Sequence, residues 1–343
     1  MGMLDHWQPM LPSKSLTKKP VGVRLAGKEI ALFRTKAGQV GALDDMCPHR
    51  RMKLSKGSVV NDKLMCMYHG WTFDCQGNGE SPGTPKLHAC ASTFDACEKY
   101  GYIWVKSKQS NPAMPEFDVA DWWSMCRSEV IANAPLELTL DNFCEIEHTP
   151  TVHQLFGYDL DQMKDVTVRF EPTDTTVKVI NQGLPKRVNA ILRYLIGINK
   201  GFVFNDIWTT FFSPVYCVYD HFWSDPKTNE ESWVKWRLYI FFTPVDDKHT
   251  RVTAFTYAKS KWFFPPSGGL MAFRRFMRHK VEEEIGRDVD LLNSLSSLEP
   301  SLDGMKLSRF DKALGLNRER IERIYKGNGP ETSMRTLKLA SGE

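Results

Sequence analysis

The pattern of apolar and polar residues divides the chain into two parts with different predicted secondary structure. Residues 1–110 alternate apolar and polar positions in short runs separated by glycine, as in VGVRLAGKEIALF and YGYIWVKS. Such runs predict short strands joined by turns, and therefore a small all-β domain. The proline-containing stretch from Asn111 to Pro115 predicts a linker.

The second part contains four longer runs rich in aromatic and β-branched residues, between residues 166 and 262, which predict an antiparallel meander. Helical character is found at residues 138–149, where the helix is predicted to stop at Pro150, and in the amphipathic stretch 269–295. A shorter helix is predicted over residues 316–327.

Strands followed by a sheet with flanking helices predict an α+β fold in two domains. The predicted boundaries place a small all-β domain at residues 1–115 and a larger domain at residues 116–330, with a disordered tail at 331–343. Residues 184–204 and 263–270 interrupt the strand pattern and are candidates for the entrance to a pocket.

The composition agrees with a globular protein of about two domains, since the chain has 343 residues, 42% of them hydrophobic. The sequence has no apolar run of membrane-spanning length and no signal peptide, so no membrane contact and a cytoplasmic location are expected. In that compartment its eight cysteines should stay reduced and serve as metal ligands or buried thiols.

The net charge of +4 is unevenly distributed. Residues 1–110 carry 16 Lys and Arg against 9 Asp and Glu, which makes the first domain a candidate docking face for an acidic partner. No Lys/Arg block is interleaved with aromatic residues, so nucleic-acid binding is not expected.

Two short pairs of metal-binding residues lie in the first domain, Cys47 with His49 and Cys66 with His69. The spacing is C-x-H, then 16 residues, then C-x-x-H, and two such pairs on neighbouring loops can close a four-ligand site. Tetrahedral zinc is one candidate. A [2Fe–2S] centre with two Cys on one iron and two His on the other suits the arrangement better, because zinc sites seldom use the C-x-H gap.

The segments CPHR and CMYHGWTFDCQGNG, which contain these four residues, resemble the Rieske iron–sulfur motif. The resemblance extends to the proline after Cys47 and to the Gly-Trp after His69. It implies that all four residues hold a [2Fe–2S] cluster. The other six cysteines lie outside the motif and are predicted to be small buried hydrophobic residues.

A second cluster follows in the larger domain, where His148 and His153 flank Pro150. An unbroken helix would place the two histidines on different faces, and a break at Pro150 lets both imidazoles converge. With one carboxylate they would form a 2-His-1-carboxylate triad for Fe(II), which leaves positions open for O₂ and substrate. The alternative is a pair of core histidines with satisfied hydrogen bonds.

This second segment resembles the catalytic domain of the Rieske non-haem iron oxygenases, whose pattern is Asn-x-x-Asp-x-x-His-x4-His. Asn142, His148 and His153 match, and Glu145 stands where the family usually has Asp. The resemblance implies that Glu145 relays electrons between the Rieske histidine of one subunit and the iron-binding histidine of the next. Asn142 is implied to be a polar group near the iron, while the neighbouring Glu147 is predicted to face elsewhere.

The family's carboxylate ligand lies late in the chain on a helix, which points to Asp288 in IGRDVDLLNSL. Glu284 and Asp290 are alternatives. Glu284 shares a helix face with Asp288, whereas Asp290 points away.

The resemblance implies a terminal oxygenase with a helix-grip-like catalytic domain. It would use O₂ and a mononuclear Fe(II) to hydroxylate or oxidatively demethylate an apolar or aromatic small molecule. Electrons would come from NAD(P)H through a separate ferredoxin or flavin reductase, because the sequence has no nucleotide-binding GxGxxG motif. A homotrimer is implied as well. The competing hypotheses are a non-enzymatic Rieske electron carrier with a binding domain and a structural zinc protein.

Overall fold

The computed structural model describes residues 2–154, 156–187, 190–260 and 268–328. The chain divides into two compact units after Pro115, and the short segment Thr243–Asp247 groups with the first unit. The predicted tail at 331–343 and most of the candidate entrance segment at 263–270 lie outside the described residues.

The first unit is built of short strands in three small sheets, with the orders β1-β11-β10, β2-β3-β4 and β5-β6-β7-β8-β9. Its strands are β1 (Gln8–Pro12), β2 (Val21–Leu25), β3 (Lys28–Arg34), β4 (Val40–Asp44), β5 (Ser58–Val60), β6 (Lys63–Met65), β7 (Thr72–Phe73), β8 (Asn78–Glu80), β9 (Ala89–Cys90), β10 (Phe94–Lys99) and β11 (Tyr102–Ser107).

Two apolar clusters of described residues lie in the core of this unit, and one of them contains the cysteines of the Rieske-like motif. One contains Leu25, Ile30 and Ile103, all fully buried. The other contains Phe33 and Phe73 together with the two cysteines of the Rieske-like motif. The thiols of that motif are therefore set into the core of the unit.

The second unit is organised around one seven-stranded antiparallel sheet, in the order β12-β18-β17-β16-β15-β14-β13. Its strands are β12 (Trp123–Ala132), β13 (Thr167–Pro172), β14 (Thr176–Gly183), β15 (Val203–Phe212), β16 (Val215–Ser224), β17 (Val234–Asp246) and β18 (His249–Ser260). The four predicted runs contain β13 to β18, with two strands in each of the first two runs, whereas β12, which pairs with β18 at one edge, was not predicted. The predicted α+β fold is confirmed.

The described helices are α1 (Leu136–Phe143), α2 (Thr149–Val152), α3 (Ala190–Ile196), α4 (Gly268–Asn293) and α5 (Lys312–Arg320), the last continuing in a π-helical turn to Tyr325. None of them combines the length and apolar character that crossing a bilayer requires.

The helix predicted over residues 138–149 is wrong in its extent. The first helix ends at Phe143, and Pro150 lies in the first turn of α2 instead of stopping the preceding helix. The physical reason is that proline is tolerated at the start of a helix, where its missing N–H has no acceptor to lose. The connection between α1 and α2 therefore begins six residues earlier than predicted and contains Glu145 and His148.

The register of the central strands brings five side chains together on one face of the sheet. Asp206 pairs with His221 across β15 and β16, and Trp208 pairs with Tyr219, which in turn faces Leu238 on β17. Since side chains at i and i+2 share a face, these five residues form two adjacent rows on the same side.

A buried ion pair anchors α1 in the second unit. The guanidinium of Arg318 on α5 donates to Asp141, next to Asn142, and the two side chains are 6% and 13% exposed. Burial raises the pKa of Asp141 to about 6, although Arg318 opposes this effect. The pair thus fixes the helix that leads into the second cluster of metal-binding residues.

We expect Arg318→Leu to lower the free energy of unfolding by roughly 3 kcal/mol at pH 8, because it leaves a buried carboxylate without its partner. The pKa of Asp141 in the fold, about 6, lies above its ordinary 3.8. The carboxyl is therefore largely protonated at pH 5, and the loss should be smaller there. Denaturant unfolding at both pH values measures this difference.

The matched control is Arg278→Leu, which removes the exposed i,i+4 pair with Glu282 on α4. The free energy of unfolding of this variant should equal that of the unaltered protein within experimental error at both pH values, because exposed ion pairs contribute little to stability. Equal losses in the two variants would contradict a structural role for the buried pair.

Candidate metal centres

The two loops of the first motif have the same backbone hydrogen-bond pattern. The N–H of Cys47 donates to the carbonyl of Met52 at 2.8 Å, and that of Cys66 donates to the carbonyl of Trp71 at 2.7 Å. In each loop the fourth residue after the cysteine donates back to the cysteine carbonyl and has a positive φ, 59° at Arg51 and 71° at Gly70. The two loops therefore present their cysteines in equivalent positions.

The side chains of this motif separate into buried thiols and more exposed imidazoles. Cys47 and Cys66 are 1% and 2% exposed, and burial raises the pKa of the Cys47 thiol. The rings of His49 and His69 lie 4.5 Å apart between centroids, and His49 stacks on Trp71. The pKa of His69 is lowered by desolvation, and His49 and Arg50 add to this effect. Two thiols on the core side and two imidazoles on the outer side are the donor set that a Rieske cluster requires.

All eight cysteines are free thiols in the structure. The prediction that the six outside the motif are buried holds for Cys126, Cys144 and Cys217 but is wrong for Cys90, which is exposed at the end of a strand. Cys144 and Cys217 lie with their sulfur atoms 3.7 Å apart. This separation is well beyond a disulfide bond length.

The second motif folds so that both histidines flank the one-turn helix α2. His148 precedes Thr149 and His153 follows Val152. The ammonium of Lys186 donates to the carbonyls of Thr149 and His153 and so holds the end of this turn. The short helix explains how two histidines five positions apart reach one point.

The structure brings the predicted ligands His148, His153 and Asp288 together. The Nε2 atoms of the two histidines are 3.0 Å apart, and each lies 3.3 Å from Oδ1 of Asp288. One ligand atom from each of the three residues lies within 4.8 Å of the others, a spacing that can hold a metal ion. Asn142 donates from its amide to the same Asp288 oxygen at 3.1 Å.

A second layer of carboxylates holds the outer nitrogen of each imidazole. Glu145 contacts Nδ1 of His148 and also accepts from the backbone N–H of Glu147 and His148. Glu284 lies 2.7 Å from Nδ1 of His153. These contacts leave the Nε2 atoms directed toward Asp288, as metal-binding histidines require.

The electrostatics of this cluster favour positive charge. Burial lowers the pKa of His148, but the hydrogen bonds and charges of Asp288 and Glu145 outweigh it and raise the pKa to about 10. Burial likewise raises the pKa of Asp288, and the two imidazoles outweigh it, so the net pKa is lowered. A site that stabilises cations in this way suits a divalent metal, which would bind with release of protons. The donor set of two imidazoles and one carboxylate fits Fe(II).

The alternative carboxylates occupy other places. Asp290 and Glu147 are exposed to solvent. Glu284 does share a face of α4 with Asp288, as its spacing indicated, but it contacts the far side of the His153 ring. The contact of Glu284 with His153 was not predicted from the sequence. The only local signal is a carboxylate one turn before the candidate ligand, and this spacing is common on helices.

A cavity lies beside the triad, with about 710 Å³ of space between protein atoms, part of which is open solvent. Its walls come from the sheet face described above and from the stripe Val281, Glu284, Ile285 and Asp288 of α4, spaced at i, i+3, i+4 and i+7. The aromatic stretches 208–223 and 233–242 indicated a pocket on these strands, with plain sheet core as the alternative, but only strand register and helix packing decide which residues line it. The other lining residues include Phe143, Phe156, Asp206, Trp208, Tyr219, His221, Leu238 and Ile240.

Glu284→Gln is expected to lower the affinity for Fe(II) about 10- to 100-fold, because the charge that fixes the His153 ring is removed. Iron content after equilibrium dialysis at graded free Fe(II) measures this. Glu282→Gln, an exposed carboxylate on the same helix, is the control and should leave the affinity unchanged. Equal affinity in the Glu284 variant and the unaltered protein would show that Glu284 does not support the site.

Comparisons with protein families agree with this division of the chain. Residues 6–94 match the Rieske [2Fe-2S] domain. Residues 132–325, more than half of the chain, match the vanillate O-demethylase oxygenase C-terminal domain. The chain belongs to the Rieske non-haem iron oxygenases, a family of enzymes, and the resemblance found in the sequence is confirmed. The Rieske match supports a [2Fe–2S] cluster on the first pair of loops.

Individual relatives are similar over part of their length. The chain is 31% identical over 137 residues to the vanillate O-demethylase oxygenase subunit of a Pseudomonas species, covering 38% of this chain and 42% of that protein. It is 27% identical over 187 residues to Protein TIC 55 of Pisum sativum, covering 50% of this chain and 34% of that protein. These alignments therefore span less than half of each relative. The crystal structure of dicamba monooxygenase bound to dicamba has the same fold, with a TM-score of 0.74, 18% identity and 99% coverage of both chains.

Proposed function

We propose that this protein is a terminal oxygenase that uses O₂ to hydroxylate or oxidatively demethylate an apolar or aromatic small molecule. The observation that supports this most is the meeting of His148, His153 and Asp288 at the wall of a largely apolar cavity. A chain that only carried electrons would need neither a second metal site nor a cavity beside it.

The residues of the chain have separate tasks in this proposal. Cys47, His49, Cys66 and His69 would hold the [2Fe–2S] cluster, and His148, His153 and Asp288 would hold Fe(II). When bound there, the cluster would supply electrons singly, and the Fe(II) would offer open positions for the activation of O₂. The protein's contribution is to position these groups and to control what reaches them.

The second-layer residues orient the ligands. Glu145 keeps the proton of His148 on Nδ1, so that its Nε2 is free to bind metal. Asn142 donates to one Asp288 oxygen and thereby restrains the rotation of that carboxylate. We further propose that Glu145 is the electron relay toward a neighbouring subunit, the role that the corresponding acidic residue has in the family.

The lining of the cavity supports the substrate class. Phe156, Trp208, Leu238 and Ile240 present apolar surface close to the triad. Such surface binds apolar ligands and keeps bulk water away from the reacting groups. The Pseudomonas relative named above is an O-demethylase by its name. We infer oxidation of a C–H bond, including that of a methyl group attached through oxygen or nitrogen, as the reaction class.

The decisive experiment is metal analysis and EPR spectroscopy of protein purified without oxygen, followed by an assay for O₂-dependent product. About three irons per chain, with a Rieske signal after reduction, would support the oxygenase. About two irons would instead indicate an electron carrier with a binding domain. A colourless protein containing zinc would contradict the proposal altogether.

We also propose that the electrons come from NAD(P)H through a separate ferredoxin or flavin reductase, and that the protein works as a cytoplasmic homotrimer. The trimer would bring the cluster of one subunit to the iron of the next, and a closed ring of head-to-tail contacts permits this. Light scattering of the purified protein tests the trimer, and a fully active monomer would exclude it.

Electron delivery by an acidic ferredoxin is expected to weaken with salt, because residues 1–110 carry the excess of positive charge. Raising the ionic strength from about 0.1 M to about 1 M shortens the screening length from about 10 Å to about 3 Å. The KM for the ferredoxin should rise several-fold. Single turnover of chemically pre-reduced protein is the control and should change little, while an unchanged KM would contradict electrostatic docking.

A further inference from the structure

The cavity contains a second polar pair, apart from the triad and its supporting carboxylates. Asp206 on β15 and His221 on β16 face each other across the sheet, with Nε2 of His221 3.0 Å from Oδ1 of Asp206. Their side chains are 10% and 12% exposed. Both line the same cavity as the triad.

The surroundings of this pair are apolar. The His221 ring lies 5.0 Å from the ring of Phe156, 5.6 Å from that of Phe204 and 5.7 Å from that of Tyr219, measured between centroids. Burying a carboxylate and an imidazole among aromatic rings costs free energy unless their hydrogen-bonding capacity is used. Packing alone therefore does not explain why a carboxylate and an imidazole are buried at this position.

Part of that capacity is unused within the described chain. Nδ1 of His221 is buried and has no hydrogen-bond partner among the described residues. The side chain of Asp206 has His221 as its single hydrogen-bond partner there. When Nε2–H of His221 donates to Asp206, the remaining lone pairs of both side chains are acceptors. The pair is therefore complementary to a ligand that donates.

Carboxylates line the cavity at two places. They are Glu145, Asp206, Glu284 and Asp288, and no Lys or Arg is among the described residues that line it. Glu145, Glu284 and Asp288 face the imidazoles of the triad and offset the positive charge there, including that of a metal ion that the triad would hold. Asp206 lies instead on the sheet beside His221, and at that end of the cavity it would repel an anion.

We propose that the Asp206–His221 pair is the substrate anchor of this cavity, accepting a hydrogen bond from a hydroxyl or N–H group on an otherwise apolar molecule and excluding aromatic carboxylates. This inference rests on the proposed function and narrows its substrate class. Anchoring one polar end of the molecule at the sheet would fix which carbon lies next to the triad. The pair is thus a specificity determinant that does not itself take part in the chemistry.

Two probes with the same ring and different charge test the proposal: 3-methoxybenzyl alcohol and 3-methoxybenzoate. Calorimetric titration of the metal-loaded protein without oxygen gives the Kd of each. The alcohol should bind about tenfold or more tightly than the carboxylate, because only the alcohol can donate to Asp206 and only the carboxylate is repelled. Comparable affinities, or failure of the alcohol to bind, would overturn the proposal.

Asp206→Asn keeps the size of the side chain and removes its charge, so the preference for the alcohol should fall about tenfold. His221→Gln is the second variant, and it should weaken alcohol binding about tenfold while the carboxylate stays excluded. Asp220→Asn removes the charge of the neighbouring carboxylate on β16, which pairs with Arg237 and is not among the residues that line the cavity, so it should leave the preference as it is. An unchanged preference in both polar variants would refute the anchor.

These measurements are independent of turnover. If the proposed oxygenase activity failed, the iron count or the O₂-dependent product would be missing while the two affinities could still differ as expected. If only the anchor were wrong, oxygenation would proceed and the alcohol and carboxylate would bind alike.

Discussion

Replacing His148 with alanine is expected to abolish oxygenation and leave the Rieske centre intact. The triad would lose one of its three ligand atoms, and the two that remain, on His153 and Asp288, cannot complete a three-ligand site for Fe(II). Iron content should fall from about three to about two per chain, because a [2Fe–2S] cluster accounts for two. The EPR signal of the reduced cluster should be unchanged, and O₂-dependent product should disappear.

The matched control is Glu147→Gln, which changes a solvent-exposed carboxylate next to His148. It should keep the full iron content and full activity. If His148→Ala retained the third iron or still formed product, the iron would have to be bound elsewhere, and the assignment of the triad would be wrong.

The second large effect is expected from Cys66→Ser, which should remove the [2Fe–2S] cluster and spare the mononuclear site. A serine hydroxyl ionises far less readily than a thiol and is a poor replacement for a thiolate ligand to iron. Iron content should fall to about one per chain, with loss of the Rieske EPR signal. Turnover driven by an external reductase should stop, because the catalytic iron no longer receives electrons.

Cys90→Ser is the control for this change, since Cys90 is an exposed thiol of the same unit outside the motif. It should keep the cluster and its signal. The two ligand variants, His148→Ala and Cys66→Ser, should thus lose different irons. Loss of both centres in either variant would indicate unfolding instead of a local effect, and circular dichroism would detect it.

Some of the fold and site followed from local sequence pattern. The aromatic and β-branched content predicted four strand-like runs, which the structure resolves into six strands of the large sheet, and the amphipathic spacing predicted α4 close to its observed bounds. The edge strand β12 was not predicted, and α1 ended earlier than expected. Both differences reflect tertiary packing, which decides where an element begins and ends when local preference is weak.

Metal-binding residues, too, were easier to predict where they lie close together in the sequence. Cys47 with His49 is a local pair whose spacing predicted a shared metal, whereas for His148 and His153 the spacing left core histidines as an alternative and the Rieske motif earlier in the chain favoured a metal. The third ligand, Asp288, lies far away in the chain, and Glu284 and Asp290 were alternatives. The orientation of α4 favours Asp288, because it directs this side chain to the imidazoles and leaves Asp290 in solvent.

By itself, the sequence determined that this protein has a small β domain with a Rieske motif and a larger domain with a histidine pair, since short-range spacing and periodicity are properties of the local chain. Only the tertiary structure showed that Asp288 meets the two histidines, that Glu284 contacts the outer nitrogen of His153 and that Asp206 and His221 face each other in one cavity. The reason is physical: strand register and helix packing join residues that are distant in sequence, and no local pattern contains that information.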